Sequence, residues 1–192
     1  MRSSTPRDFA GVCSRCFLKE AWCICAELPR IDSKIEFLII RHTTEDFLTS
    51  NTGRLAALVL PNAQILKYGG GTPFDDSCIG RDGTWLLYPA KSKEPVTPAP
   101  RRIIVLDATF RQAKRMYQRI TALRGLPELS FDAPVTVPHR LRRPPRIDGL
   151  STIEAIAAAL GRFENPKVAE SLLAVYAEFV QRADATRGRQ RI

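Results

Sequence analysis

Short apolar runs alternate with amphipathic stretches along most of the chain, the pattern of an α/β fold with a mostly parallel sheet flanked by helices. Residues 35–40, 63–68, 84–88 and 103–106 are strand candidates, rich in Ile, Leu, Val or aromatic side chains and too short for helices. Four helices are expected around them. The first starts at Asn51 or Thr52, turns Leu55, Leu58 and Val59 inward and stops before Pro61. The second runs from Thr109 to about Leu123. Thr109 and Gln112 have capping-box spacing, and Phe110, Ala113, Met116 or Tyr117, Ile120 and Leu123 recur on one stripe, leaving Arg111, Lys114, Arg115 and Arg119 outside. The third opens on a capping box of Ser151 and Glu154 and closes at Gly161. The fourth spans 166–181, with Val168, Leu172, Leu173, Val175, Tyr176 and Phe179 on its core side. Pro-rich 89–100 reads as an internal linker and Gly69-Gly70-Gly71 as a mobile loop, yet both halves supply strands to one sheet.

Before residue 30 the pattern changes. Cys13, Cys16, Cys23 and Cys25 spell C-x2-C-x6-C-x-C, four of the five cysteines within thirteen residues. The first ten residues hold no apolar run, so neither a secretory signal nor a spanning helix is expected; the chain reads as cytoplasmic, with no membrane partner. In that setting clustered thiols point to metal rather than disulfides. Four thiolates complete a tetrahedral zinc shell and leave no open position, so the expected site is structural. Metal binding would contribute about 10–16 kcal/mol of apparent folding free energy to a loop too short to fold alone. Residues 1–30 are therefore read as a zinc-binding segment and 31–192 as the catalytic α/β domain. Cys78 stands apart and reads as a small buried side chain.

Charge narrows the partner. The chain has 29 basic and 20 acidic side chains, a net charge of +9 and a pI near 9.7. Residues 101–146 alone hold eleven Lys or Arg against three acids, so the excess is concentrated there and favours a nucleic-acid phosphate partner. Part of it lies in 137–146, too Pro-rich for a helix and too basic for a buried strand, which reads as an exposed basic loop.

The chemistry is expected where strand 103–106 runs into the helix after it. In open α/β sheets, ligands bind beyond the carboxyl ends of strands, where helix N-termini offer free N–H groups, and Asp107 sits at such an end. A second strand-to-helix junction gathers His42, Asn51, Thr52 and Arg54; a third helix start adds Ser151, Thr152 and Glu154.

Four motifs in this order resemble the DTW-domain family, the tRNA-uridine aminocarboxypropyltransferases. They are the four-cysteine knuckle, the segment Asn51-Thr52-Gly53-Arg54-Leu55, the segment Asp107-Ala108-Thr109-Phe110 with Ala113 and Met116, and the Arg-rich loop leading to Ser151-Thr152-Ile153-Glu154-Ala155. The resemblance runs from Cys13 to about Leu160. Phe110 stands where the family motif has Trp, which keeps an aromatic ring and loses an indole N–H donor. The resemblance implies a knotted, SPOUT-like fold and transfer of the 3-amino-3-carboxypropyl group of S-adenosylmethionine to N3 of a tRNA uridine, leaving methylthioadenosine. A SPOUT-type RNA methyltransferase and a non-catalytic zinc-containing RNA-binding protein are the alternatives. On the leading reading Asp107 is a candidate general base with Thr109 beside it, and Asn51, Thr52, Arg54, Phe110, Arg140, Ser151, Thr152 and Glu154 surround the donor. Arg111, Lys114, Arg115, Arg142 and Arg143 would hold tRNA phosphates. The sequence sets neither the tRNA position nor the oligomeric state.

Overall fold

The computed structural model describes residues 9–89, 97–131, 140–141 and 149–186. The strands are β1 (Glu36–His42), β2 (Ala63–Tyr68), β3 (Thr84–Leu87), β4 (Arg102–Asp107) and β5 (Glu128–Leu129). The helices are α1 (Thr52–Val59), α2 (Phe110–Arg119), α3 (Thr152–Phe163) and α4 (Pro166–Thr186). All strand pairs are parallel, in the order β2-β1-β4-β3-β5.

Side-chain alternation divides the core between the two faces of this sheet. Phe37, Ile39, Ile103 and Val105 join Leu55, Val59, Ile156, Leu160, Leu172 and Phe179 from α1, α3 and α4. Leu38, Ile40, Leu86 and Ile104 join Met116, Ile120 and Leu123 on the α2 side. Both faces of β1 and β4 are thus covered, which is why their sequences are continuously apolar. Each such side chain contributes about 1.5–3 kcal/mol by leaving water.

The connections wind outward in opposite directions from β1 and β4, which are themselves parallel. From β1 the chain passes through α1 to β2 on one side; from β4 it passes through α2 to β5 on the other. The carboxyl ends of β1 and β4 therefore form a topological switch point, the crevice where open α/β sheets bind ligands. Register places Arg41 of β1 beside Asp107 of β4 at that end.

Several sequence expectations need correction. α3 does not stop at Gly161 but runs to Phe163, because the glycine lies against α4, where a Cβ would stand 3.4 Å from the Ala169 Cβ. α2 ends at Arg119, and Leu123 reaches the core from a following 3-10 turn (Thr121–Leu123). Phe110 and Leu173 are not core residues, and Cys78 is exposed. The loop expected at Gly69-Gly70-Gly71 is present, with φ of 99°, 75° and 86° in the left-handed region that favours glycine. β5 carries no pattern of its own; two residues complete the sheet edge beside β3. The linker and basic-loop readings at 90–96, 132–139 and 142–148 lie outside the described residues.

Candidate active site

Asp107 is the hub of the switch point. It is buried, and its two oxygens accept three side-chain hydrogen bonds. Oδ2 receives Arg41 Nε at 2.9 Å and Asn51 Nδ2 at 2.7 Å; Oδ1 receives Thr152 Oγ1 at 2.8 Å. One carboxylate thus joins the ends of β1 and β4 to the first residues of α1 and α3. Asn51 also caps α1 by accepting from Arg54 N at 3.0 Å, and Thr52 Oγ1 accepts from Ile153 N at 3.3 Å. The two helix N-termini direct their partial positive charge at this point, which favours an anion there.

Gly53 permits that convergence. A Cβ at this position would stand 2.6 Å from Asp107 Oδ2, so α1 can approach the carboxylate only without a side chain.

A cleft of about 210 Å³ opens beside the hub. Of the residues expected at the site, Asn51, Thr52, Asp107, Thr109, Phe110, Arg140, Ser151 and Thr152 line it. Phe110 is 45% exposed, so its ring is available to a ligand. Thr109 has a capping role: its N–H and hydroxyl donate to Gln112 Oε1 at 3.0 and 2.6 Å. Glu154 supports the wall from behind, accepting from Ser151 N at 2.7 Å and from Arg140 Nε at 2.8 Å. Arg54 and His42 are not among the cleft residues. The Arg54 guanidinium lies 3.8 Å from the centroid of the Phe17 ring and donates to the Asp46 carbonyl. Burial, then repulsion from Arg41, lowers its pKa to about 10. His42 Nδ1 accepts from Thr44 N, closing a turn after β1.

Three residues of this region were not singled out by sequence reasoning. Arg41 is buried against Asp107, and Glu45 is a second buried carboxylate on the cleft wall. Tyr176 has the spacing of a core residue on α4, yet it also lines the cleft. Burial, then the nearby Glu154 carboxylate, pushes its phenol above the ordinary range, so it stays protonated as a donor. Arg41, adjacent to His42, and Glu45, three residues after it, carried a signal that could have found them.

The cysteine knuckle forms a separate centre. All four sulfur atoms lie within 4.8 Å of one another, with Cys13–Cys25 at 3.7 Å and Cys16–Cys23 at 3.8 Å. Tetrahedral zinc with Zn–S bonds of about 2.3 Å requires edges of about 3.8 Å, so the donor set fits that ion. Burial opposes charge on Cys13, but the backbone N–H groups of Cys16 and Arg15 outweigh it and bring the thiol down to about 6; burial pushes Cys16 and Cys25 up. Leu18 and Ile24 seat the knuckle in the main core, and Arg182 of α4 donates to the Cys23 carbonyl at 3.0 Å while pairing with Glu27.

The sequence profile of the DTW domain matches residues 10–184. The chain belongs to the DTW-domain family. This DTW-domain chain is 28% identical over 180 residues to tRNA-uridine aminocarboxypropyltransferase 2 of Macaca fascicularis, covering 84% of the chain and 59% of that protein. It is 24% identical over 187 residues to the protein of the same name in Drosophila melanogaster, covering 89% and 74%. With tRNA-uridine aminocarboxypropyltransferase A of Arabidopsis thaliana it shares 26% over 215 residues, covering 88% and 80%. The chain thus spans about three fifths of the macaque relative's length. No solved structure matches the chain significantly. Among the described residues, no helix of this DTW-domain chain is long and apolar enough to cross a membrane.

Proposed function

We propose that the chain transfers the 3-amino-3-carboxypropyl group of S-adenosylmethionine to N3 of a tRNA uridine, releasing methylthioadenosine. The observation that carries this reading is the convergence of three separate family segments, at Asn51, Asp107 and Thr152, on one buried carboxylate beside a cleft at the switch point. The relatives' names supply the reaction. The knotted SPOUT arrangement, the division into a zinc-binding segment (1–30) and a catalytic domain (31–192), and a cytoplasmic location belong to the same reading.

S-adenosylmethionine supplies a carbon electrophile attached to a sulfonium leaving group. Binding and alignment fall to the chain. The N-termini of α1 and α3, with Arg140, offer donors to a carboxylate. Phe110 offers a ring face to adenine or uracil, and Tyr176, buried at the cleft wall, offers its O–H.

The uridine must lose its N3 proton as N3 attacks. Both Asp107 oxygens are already engaged, by Arg41, Asn51 and Thr152, and Arg41 Nη1 also faces Asp46 Oδ1 at 3.9 Å. Those engagements make Asp107 a positioning residue that holds the cleft walls together. Glu45, the other cleft carboxylate, is then the candidate proton acceptor. The exposed Arg111, Lys114 and Arg115 of α2 meet tRNA phosphates. Arg142 and Arg143, assigned the same role, lie outside the described residues. Zinc on the four cysteines holds the knuckle.

The test is nucleoside analysis by mass spectrometry of unmodified tRNA incubated with the zinc-loaded protein and S-adenosylmethionine. An aminocarboxypropyl-sized increment on uridine, with methylthioadenosine released, is the expected product. A methyl-sized increment would make the protein a methyltransferase, and no increment would leave an RNA-binding module.

A further inference from the structure

Three phenylalanines outside the core cluster next to the cleft. Phe9 and Phe47 are 43% and 52% exposed. Their rings meet each other at 5.4 Å between centroids and meet Phe17 at 5.8 and 6.2 Å. About half of each outer ring stays in solvent.

The base of the cluster is fixed. Phe17 follows Cys16 with a left-handed backbone, φ 62°, which brings its N–H to the Cys13 carbonyl at 2.9 Å. Its own carbonyl accepts from Thr49 Oγ1 at 3.3 Å, and the Arg54 guanidinium covers its ring. Single exposed apolar side chains are ordinary, but a braced group of three rings marks a contact surface.

Position indicates what it meets. Phe47 lies on the segment whose Glu45, Ser50 and Asn51 line the cleft, so patch and cleft share one loop. Residues 9–19 carry exposed Arg15 and Lys19, with Glu20 next in the chain and Asp46 immediately before Phe47. Exposed rings on a loop shared with the cleft, one of them backed by the Arg54 guanidinium, suit a single-stranded nucleotide, whose base stacks on aromatic faces.

We propose that Phe9, Phe17 and Phe47 form a stacking platform for an unpaired RNA base neighbouring the nucleotide in the cleft. The assignment rests on the RNA-modifying reading above. The platform acts through ring surface, so its contribution is insensitive to salt, unlike that of α2.

The experiment measures affinity of the zinc-loaded full chain for unmodified tRNA at several salt concentrations, without S-adenosylmethionine, for Phe47→Ala, Phe9→Ala and Phe47→Trp. Because the outer rings are exposed, thermal midpoints should match that of the parent, which confirms folding. Each alanine should weaken binding by about 5- to 140-fold, the range for loss of one base stack. Phe47→Trp should restore it, and the slope of log affinity against log salt should not change. Alanine variants that bind within twofold of the parent would overturn the platform, and would leave another protein as the partner of this patch. A reduced salt slope would overturn it as well, by assigning the effect to phosphate contacts. Binding is read separately from transfer: absence of the aminocarboxypropyl product alone would refute the reaction, whereas normal product with unchanged binding would refute only the platform.

Discussion

Gly53→Ala separates tertiary constraint from local preference, because the two predict opposite signs. In a helix, alanine is favoured over glycine by up to about 1 kcal/mol. Here the new Cβ would stand 2.6 Å from Asp107 Oδ2 and 2.8 Å from its Cγ, so the carboxylate must move. It is not free to do so, since Arg41 and Asn51 hold Oδ2 at 2.9 and 2.7 Å. Overpacking costs about 1–3 kcal/mol, and each charge-assisted hydrogen bond that is broken costs about 1.5–3 kcal/mol. These penalties overlap because one displacement relieves the clash and breaks the bonds. Set against the helix preference, they leave a net loss of about 2–4 kcal/mol. Urea denaturation of the zinc-loaded protein reads this as a lowered midpoint at unchanged m. Gly161→Ala is the control: its Cβ would meet Ala169 at 3.4 Å, so the outcome should lie between a small loss and a gain of about 1 kcal/mol. A Gly53→Ala protein as stable as the parent, or more stable, would refute the claim that a locked carboxylate organises this site.

The same geometry predicts other outcomes. Asp107→Asn removes the nearer of two carboxylates that face buried Arg41, leaving Asp46 at 3.9 Å; it should lower stability by about 1.5–3 kcal/mol in denaturant titration and abolish transfer, and a fully stable variant would contradict the hub. Glu45→Gln should depress the rate of transfer while leaving S-adenosylmethionine binding and the Gly53 region intact, and should remove the acidic limb of the pH–rate profile; an unchanged profile would move proton acceptance elsewhere. Chelation of zinc should lower the thermal midpoint and expose residues 13–25 to proteolysis, with recovery on adding zinc. Zinc affinity should fall as pH falls, because protons compete for four thiolates, and a midpoint indifferent to chelation would exclude the metal. Replacing Arg111, Lys114 and Arg115 together with Ala should weaken tRNA binding and reduce its salt slope; an unchanged slope would remove α2 from the phosphate contacts.

Which parts of this were legible depended on range. The strand centres and the starts of α1, α2 and α3 follow from burial periodicity and caps that span a few residues, and the structure places Asn51, Thr109 and Ser151 at those starts. The knuckle was legible for the same reason, since its ligand spacing is local. The far end of α3 was not. Gly161 reads as a stop until α4 is seen to need a small residue there. Nor was Tyr176, because one side chain can both complete a helical stripe and wall a cleft.

Asp107 shows the division within one residue. By itself the sequence determined that it ends an apolar strand and precedes a capped helix, because those signals come from neighbours in the chain. Only the tertiary structure decided that β1 lies beside β4, that Arg41 is its partner, and that Asn51 and Thr152 close on it. The physical reason is that strand order and register are set by burial summed over both faces of the sheet, and no short window of sequence contains that sum.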